Sequence, residues 1–165
     1  MPEIYWVRDI EPVRLAIMPR PRGGDELRDH ISGWRRAGLE SVASLLEPHE
    51  IEDLALAEER VLCERSGIEF LSFPIPDGGV PASAQKAADL VATLVSRLRS
   101  GVGVGVHCHA GIGRSGLVSG CVLLQLGVPF DEVFPILTRA RGFPVPGTLA
   151  QVEWVRVFPH EATAP

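Results

Sequence analysis

Gly105-Val106-His107-Cys108-His109-Ala110-Gly111-Ile112-Gly113-Arg114-Ser115-Gly116 is the stretch on which the reading turns. The Gly-Val run Val102–Val106 just ahead of it has the make-up of a short strand buried on both faces of a parallel sheet. The segment from about Arg114 to Leu126 reads as a helix. Between them lies a glycine-containing turn from a buried strand into a helix, the place where open α/β sheets bind ligands. Backbone N–H groups of such a turn can converge, and the next helix adds its positive N-terminal end, so the turn suits a phosphate dianion. Gly111 and Gly113 allow the unusual dihedrals that close approach to the oxygens demands.

A cysteine at the mouth of that turn feels the same positive potential. A free thiol titrates near a pKa of about 8.5, and helix N-termini or nearby cations lower it by several units. Cys108 is therefore expected to be a thiolate nucleophile at neutral pH. Arg114, six residues on, can return across the loop and grip two phosphate oxygens with its planar fork. A thiolate, inward amides and a guanidinium together suit attack on phosphorus, with the donors holding the equatorial oxygens of the transition state.

Outward from this stretch the chain alternates strands and helices. Ile4–Val7, Leu15–Met18, Ser41–Leu46 and Ile68–Phe73 read as strands. Asp25–Arg36, an acidic helix over about Pro48–Arg65, Pro81–Arg99, Phe130–Arg141 and Thr148–Phe158 read as helices. The expectation is a single α/β domain: a central, mostly parallel sheet of four to five strands, helices on both faces, and a phosphate-binding loop between a strand and a helix. Residues 1–160 form one unit, with 161–165 a frayed tail.

The chain of 165 residues is long enough for one core. It contains no apolar run of the ~18 residues that a membrane helix needs, and its N-terminus does not read as a signal peptide. The net charge of −5 disfavours binding nucleic acid over the whole surface. Cys63, Cys108 and Cys121 are too few and irregular for a disulfide framework, which points to a reducing compartment. No histidine or cysteine set has metal-ligand spacing. The expected protein is a cytoplasmic monomer without metal or cofactor. Trp6, Trp34 and Trp154 read as packing residues, and Arg20, Arg22, Arg35 and Arg36 as a basic cluster on a solvated face.

His-Cys-x-x-Gly-x-x-Arg-Ser, from His107 to Ser115, resembles the signature of the cysteine-dependent protein-tyrosine and dual-specificity phosphatases. The resemblance implies a cysteinyl-phosphate intermediate, with Cys108 as nucleophile and Arg114 as phosphate clamp. Ser115 would stabilise the departing thiolate, and His107 would orient the loop and support the low thiol pKa. His109, Ala110, Gly111, Ile112 and Gly113 would cradle the phosphate. These enzymes also use an aspartic acid about thirty residues before the nucleophile. Asp77, 31 residues before Cys108 in Phe73-Pro74-Ile75-Pro76-Asp77-Gly78-Gly79, resembles that acid. Gly147-Thr148-Leu149-Ala150-Gln151 only partly resembles the Gln-Thr-x-x-Gln element of tyrosine-specific members, since Gly147 replaces its first glutamine. Gln151 is read as capping or packing its helix, and Glu47 as a helix-start carboxylate that could also pair with Arg114. Cys63 and Cys121 could protect an oxidised Cys108, as in some relatives, but read first as packing residues.

A compact dual-specificity-like enzyme, similar to the cyclin-dependent-kinase-associated branch around Pro76-Asp77-Gly78-Gly79, fits best. Ala110, Ile112 and the absence of lysine from the loop argue against the lipid-phosphatase branch. The implied activity is dephosphorylation of phosphotyrosine, with phosphoserine and phosphothreonine as further candidates, in proteins. A phosphoprotein-binding module without turnover and a phosphatase of RNA 5′-ends or small metabolites are the alternatives.

Overall fold

The computed structural model describes residues 3–159. Five strands form one sheet: β1 (Tyr5–Trp6), β2 (Leu15–Met18), β3 (Ser41–Ser44), β4 (Glu69–Ser72) and β5 (Val104–His107), in the order β1-β2-β5-β3-β4. Only the edge strand β1 runs antiparallel; β2, β3, β4 and β5 are parallel. This is the mostly parallel α/β sheet expected from the sequence. The proposed tail 161–165 lies outside the described residues.

Alternation along the strands divides the core in two, as side chains of period two must. Leu15, Ile17, Ala43, Val104 and Val106 face one core. Helices α4 (Ala84–Arg99), α5 (Gly113–Gln125), α6 (Phe130–Arg141) and α7 (Leu149–Arg156) supply its other wall. Ala16, Met18 and Val42 face the second core, against α1 (Leu27–Ala37) and α3 (Glu59–Arg65). Helix α5 is buried almost from end to end, from Arg114 to Leu124. An element enclosed all round this way is fixed in position, and so is the loop that leads into it.

One helix expected from the sequence is two. The stretch Pro48–Arg65 breaks into α2 (Pro48–Asp53) and α3, with Ala55 left-handed at φ 55. Nothing in Leu54-Ala55-Leu56-Ala57 signals a stop. The break follows from packing: Leu56 is buried in the second core, and the Ala55 carbonyl accepts from Gly24 N–H at 3.0 Å. Tertiary contacts here override good helix propensity. Glu50 and Glu59 would fall on opposite faces of an unbroken helix at 3.6 residues per turn. The break lets both turn toward the loop after β5.

Candidate active site

Strand β5 lies between β2 and β3, with His107 paired to Met18 on one side and Ser44 on the other. The loop Cys108–Ile112 leaves the carboxyl end of this central strand and enters α5. Its carbonyls are all engaged: Cys108 C=O by His107 Nδ1, His109 by Arg20 N–H, and Ala110 and Gly111 by the Arg141 guanidinium. The Ile112 carbonyl takes the Gly116 N–H. The Ile112 amide faces the Cys108 sulfur, and the other loop amides are left for whatever occupies the pocket. The N-terminus of α5 has no side-chain cap, so its orphan N–H groups join them. Gly111 (φ +72) sits behind the loop, where a Cβ would collide with the Met18 carbonyl and Pro19 nitrogen. Only glycine fits there.

Cys108 is 2% exposed. Burial by itself would raise its pKa, but the Ser115 hydroxyl, the N–H groups of Ser115 and Ile112, and the Arg114 charge outweigh it and hold the thiol below its ordinary value. Ser115 Oγ is buried and makes no hydrogen bond of ordinary geometry to any other group, so its proton is free to turn to the sulfur. His107 is fully buried, with Nε2 2.6 Å from Glu59 Oε2. Burial pulls its pKa down, yet Glu59 and the Cys108 carbonyl raise it overall. Glu59, itself 2% exposed, was not singled out from the sequence.

Arg114 is also buried. Its Nη1 donates to Glu50 Oε2 at 2.8 Å and to the Ile75 carbonyl at 2.9 Å; its Nη2 donates to Glu50 Oε1 at 2.9 Å and Asp77 Oδ1 at 3.3 Å. Glu50 therefore holds the outer edge of the guanidinium, leaving Nε and the Asp77-facing proton for a ligand. The hydrogen bond from Arg114, opposed by burial and aided by the Glu47 amide, keeps the Glu50 carboxyl below its usual range. The partner of Arg114 is thus Glu50, while Glu47 stands at the start of α2 as a helix-start carboxylate.

A cavity of about 360 Å³ opens over the loop and brings Asp77, Cys108, Arg114 and Gln151 together with His109, Ala110, Ile112 and Gly113. Asp77 stands on its rim with its side chain 81% exposed. Gln151 caps α7 reciprocally with Thr148, as read from the sequence. It also donates to the Gly79 carbonyl at 3.1 Å and so ties the Asp77 loop to α7. Cys63 and Cys121 are free and buried, with thiols pushed up by burial; Cys63 lies in the core across the sheet from Cys108. Glu47, His49 and Glu50 approach one another at metal-ligand range, but both Glu50 oxygens are already used by Arg114 and the Glu47 amide. No helix among the described residues is long and apolar enough to cross a membrane.

This is the fold and loop of the protein-tyrosine phosphatase superfamily, in its dual-specificity-like form. Residues 16–128 match the family described as polymorphic toxin system, DSP-PTPase phosphatase, and the chain belongs to it. It is 27% identical over 128 residues to cyclin-dependent kinase inhibitor 3 of Rattus norvegicus, covering 75% of this chain and 59% of the relative. It is 42% identical over 164 residues to protein tyrosine phosphatase domain-containing protein 1 of Mus musculus, covering 93% of this chain but 21% of the relative. The chain therefore spans only part of the length of these curated relatives. The solved kinase associated phosphatase with its catalytic-site cysteine replaced by serine superposes with a TM-score of 0.86 at 20% identity, covering 100% of this chain and 98% of that one. That likeness is one of fold.

Proposed function

We propose that this chain is a phosphomonoesterase that dephosphorylates phosphotyrosine, with phosphoserine and phosphothreonine as further substrates, in cytoplasmic proteins through a cysteinyl-phosphate intermediate. The observation that carries the reading is the buried Cys108 sulfur, held by Ser115 and the Ile112 amide at the floor of a cavity that Arg114 and Asp77 also line. Phosphoprotein substrates are supported by the kinase-associated relatives.

In the first step the Cys108 thiolate attacks phosphorus in line with the ester oxygen. The S–P bond forms, the P–O ester bond breaks, and Asp77 gives its proton to the departing oxygen. Arg114 Nε–H and the Nη2–H that faces Asp77 Oδ1 in the free site take two equatorial oxygens, and the loop amides take the rest. A preorganised donor of this kind contributes about 3–4 kcal/mol to the transition state. In the second step water attacks the phosphocysteine, the Asp77 carboxylate takes its proton, and the S–P bond breaks as the Ser115 hydroxyl stabilises the returning thiolate. Inorganic phosphate leaves.

The test is hydrolysis of para-nitrophenyl phosphate from pH 5 to 8, with acid-quenched wild type analysed by peptide mass spectrometry. Turnover blocked by orthovanadate, with a phosphoryl adduct on the Cys108 peptide, is the expected result. Turnover that persists in Cys108→Ser contradicts the mechanism.

A further inference from the structure

Two peptide units decide which way the amides of the loop after β5 point. A planar trans peptide carries its C=O and N–H on opposite sides, and the bonds Ala110–Gly111 and Gly111–Ile112 are trans. A carbonyl drawn out of the loop at Ala110 therefore aims the Gly111 N–H inward, and one drawn out at Gly111 aims the Ile112 N–H inward. Among the described residues neither N–H donates to a backbone carbonyl; the Ile112 N–H faces the Cys108 sulfur. Gly111 stands between the two units at φ +72, and backbone without a Cβ is the easiest to turn over.

One side chain holds both carbonyls. Arg141, in the last turn of α6, donates from Nε to the Gly111 oxygen at 3.1 Å and from Nη2 to the Ala110 oxygen at 3.0 Å. These nitrogens form one edge of the planar fork, so the two carbonyls are fixed relative to each other as well as to α6. The guanidinium is held in turn: its carbon lies 4.3 Å from the centre of the Tyr5 ring, within cation–π range. Tyr5 is the only tyrosine of the chain, packs half-buried against the first core, and pairs with Ile17 in the sheet. Among the described residues Arg141 meets no carboxylate; Arg139, two positions earlier, takes Asp9 at 2.6 Å. Arg141 thus brings an uncompensated positive charge to the back of the loop.

We propose that Arg141 is a positioning residue for the reaction, turning the Gly111 and Ile112 amides into the pocket from outside it, with Tyr5 of the edge strand as the platform that holds its guanidinium. This rests on the phosphatase reading of the site. Arg141 is not among the residues that line the cavity over the loop, so it acts through the two carbonyls and not on the phosphoryl group. Without it, the peptide units that flank Gly111 can turn a carbonyl oxygen toward the phosphate dianion, which repels it, and the thiolate loses the Ile112 N–H.

The experiment measures para-nitrophenyl phosphate hydrolysis together with the pH midpoint of Cys108 alkylation by iodoacetate, in wild type and four variants. Arg141→Ala is expected to lower kcat by about 10²-fold, the order lost with one preorganised donor, and to move the Cys108 midpoint up toward the ~8.5 of a free thiol. Arg141→Lys keeps the charge without the two-point contact and should recover part of both. Tyr5→Ala should shift both in the same direction as Arg141→Ala, by less. Arg139→Ala removes a charge from the same helix turn without touching the loop and should match wild type. Arg114, Asp77 and the His107–Glu59 pair, the other charged groups around Cys108, are the same in every variant. An Arg141→Ala protein that loses stability but keeps the wild-type midpoint and kcat overturns the positioning role. Should Arg141→Ala fail to fold, wild-type midpoints and rates in both Arg141→Lys and Tyr5→Ala overturn it. A wild type that does not hydrolyse para-nitrophenyl phosphate is a different failure, that of the phosphatase reading, and the alkylation midpoints then test Arg141 on their own.

Discussion

The loop after β5 and the loop after β4 meet across one cavity but are held in opposite ways. Around Cys108 every carbonyl from Cys108 to Ile112 has a donor, the sulfur is 2% exposed, and the next helix is buried along its length. Around Asp77 the carboxylate is 81% exposed, and the neighbouring backbone is tied back by Arg114 at Ile75 and Gln151 at Gly79. Cys108, the proposed nucleophile, is preorganised, while Asp77, the proposed acid, is hung from side chains that belong to the opposite wall. A rigid cradle for charge and a looser arm for the proton is the division of labour that such chemistry calls for.

The largest effect should come from the rigid side. Cys108→Ser is expected to lower kcat by roughly 10⁴-fold or more, with phosphate binding retained by equilibrium dialysis. Asp77→Asn should cost about 10²–10⁴-fold in kcat and flatten the basic limb of the pH–rate profile, as loss of a general acid does. An Asp77→Asn profile with its basic limb intact would break the comparison. Glu50→Ala leaves Arg114 buried without its carboxylate, so chemical denaturation should show a loss of about 3–5 kcal/mol. The Glu50 carboxyl titrates below its unfolded value, so its contribution is complete above that value and is lost as pH falls through the folded one. Wild-type stability should therefore drop in acid, and Glu50→Ala should show a shallower drop. The smallest effect is expected from Gln151→Ala, a several-fold loss in kcat with KM changed less, because Gln151 acts on the Asp77 loop through Gly79.

Much of this was legible because it is local. The strand Leu15–Met18, the helix Phe130–Arg141 and the turn from β5 into α5 follow from contiguous patterns of residues. Asp77 is singled out in the sequence only through the family resemblance, and the structure brings it to 3.3 Å from Arg114. Glu50 and Glu59 were not found, because their partners lie 64 and 48 residues away and an acidic helix reads as solvated. A faint signal existed for Glu59: it shares a helix face with Leu62 and Cys63 at i+3 and i+4, both buried. Arg141 gave no signal at all, since it reaches the loop only after α6 has packed against β1 and β2.

Preorganisation of Cys108 as the proposed nucleophile is tested most directly by the rate at which iodoacetate alkylates each cysteine of the folded protein as pH is raised, read peptide by peptide. Cys108 should react with a midpoint well below the ~8.5 of a free thiol, be protected by inorganic phosphate, and shift upward in Glu59→Gln, while Cys63 and Cys121 stay unlabelled. A Cys108 that titrates like a free thiol, or three cysteines that react alike, would contradict the account.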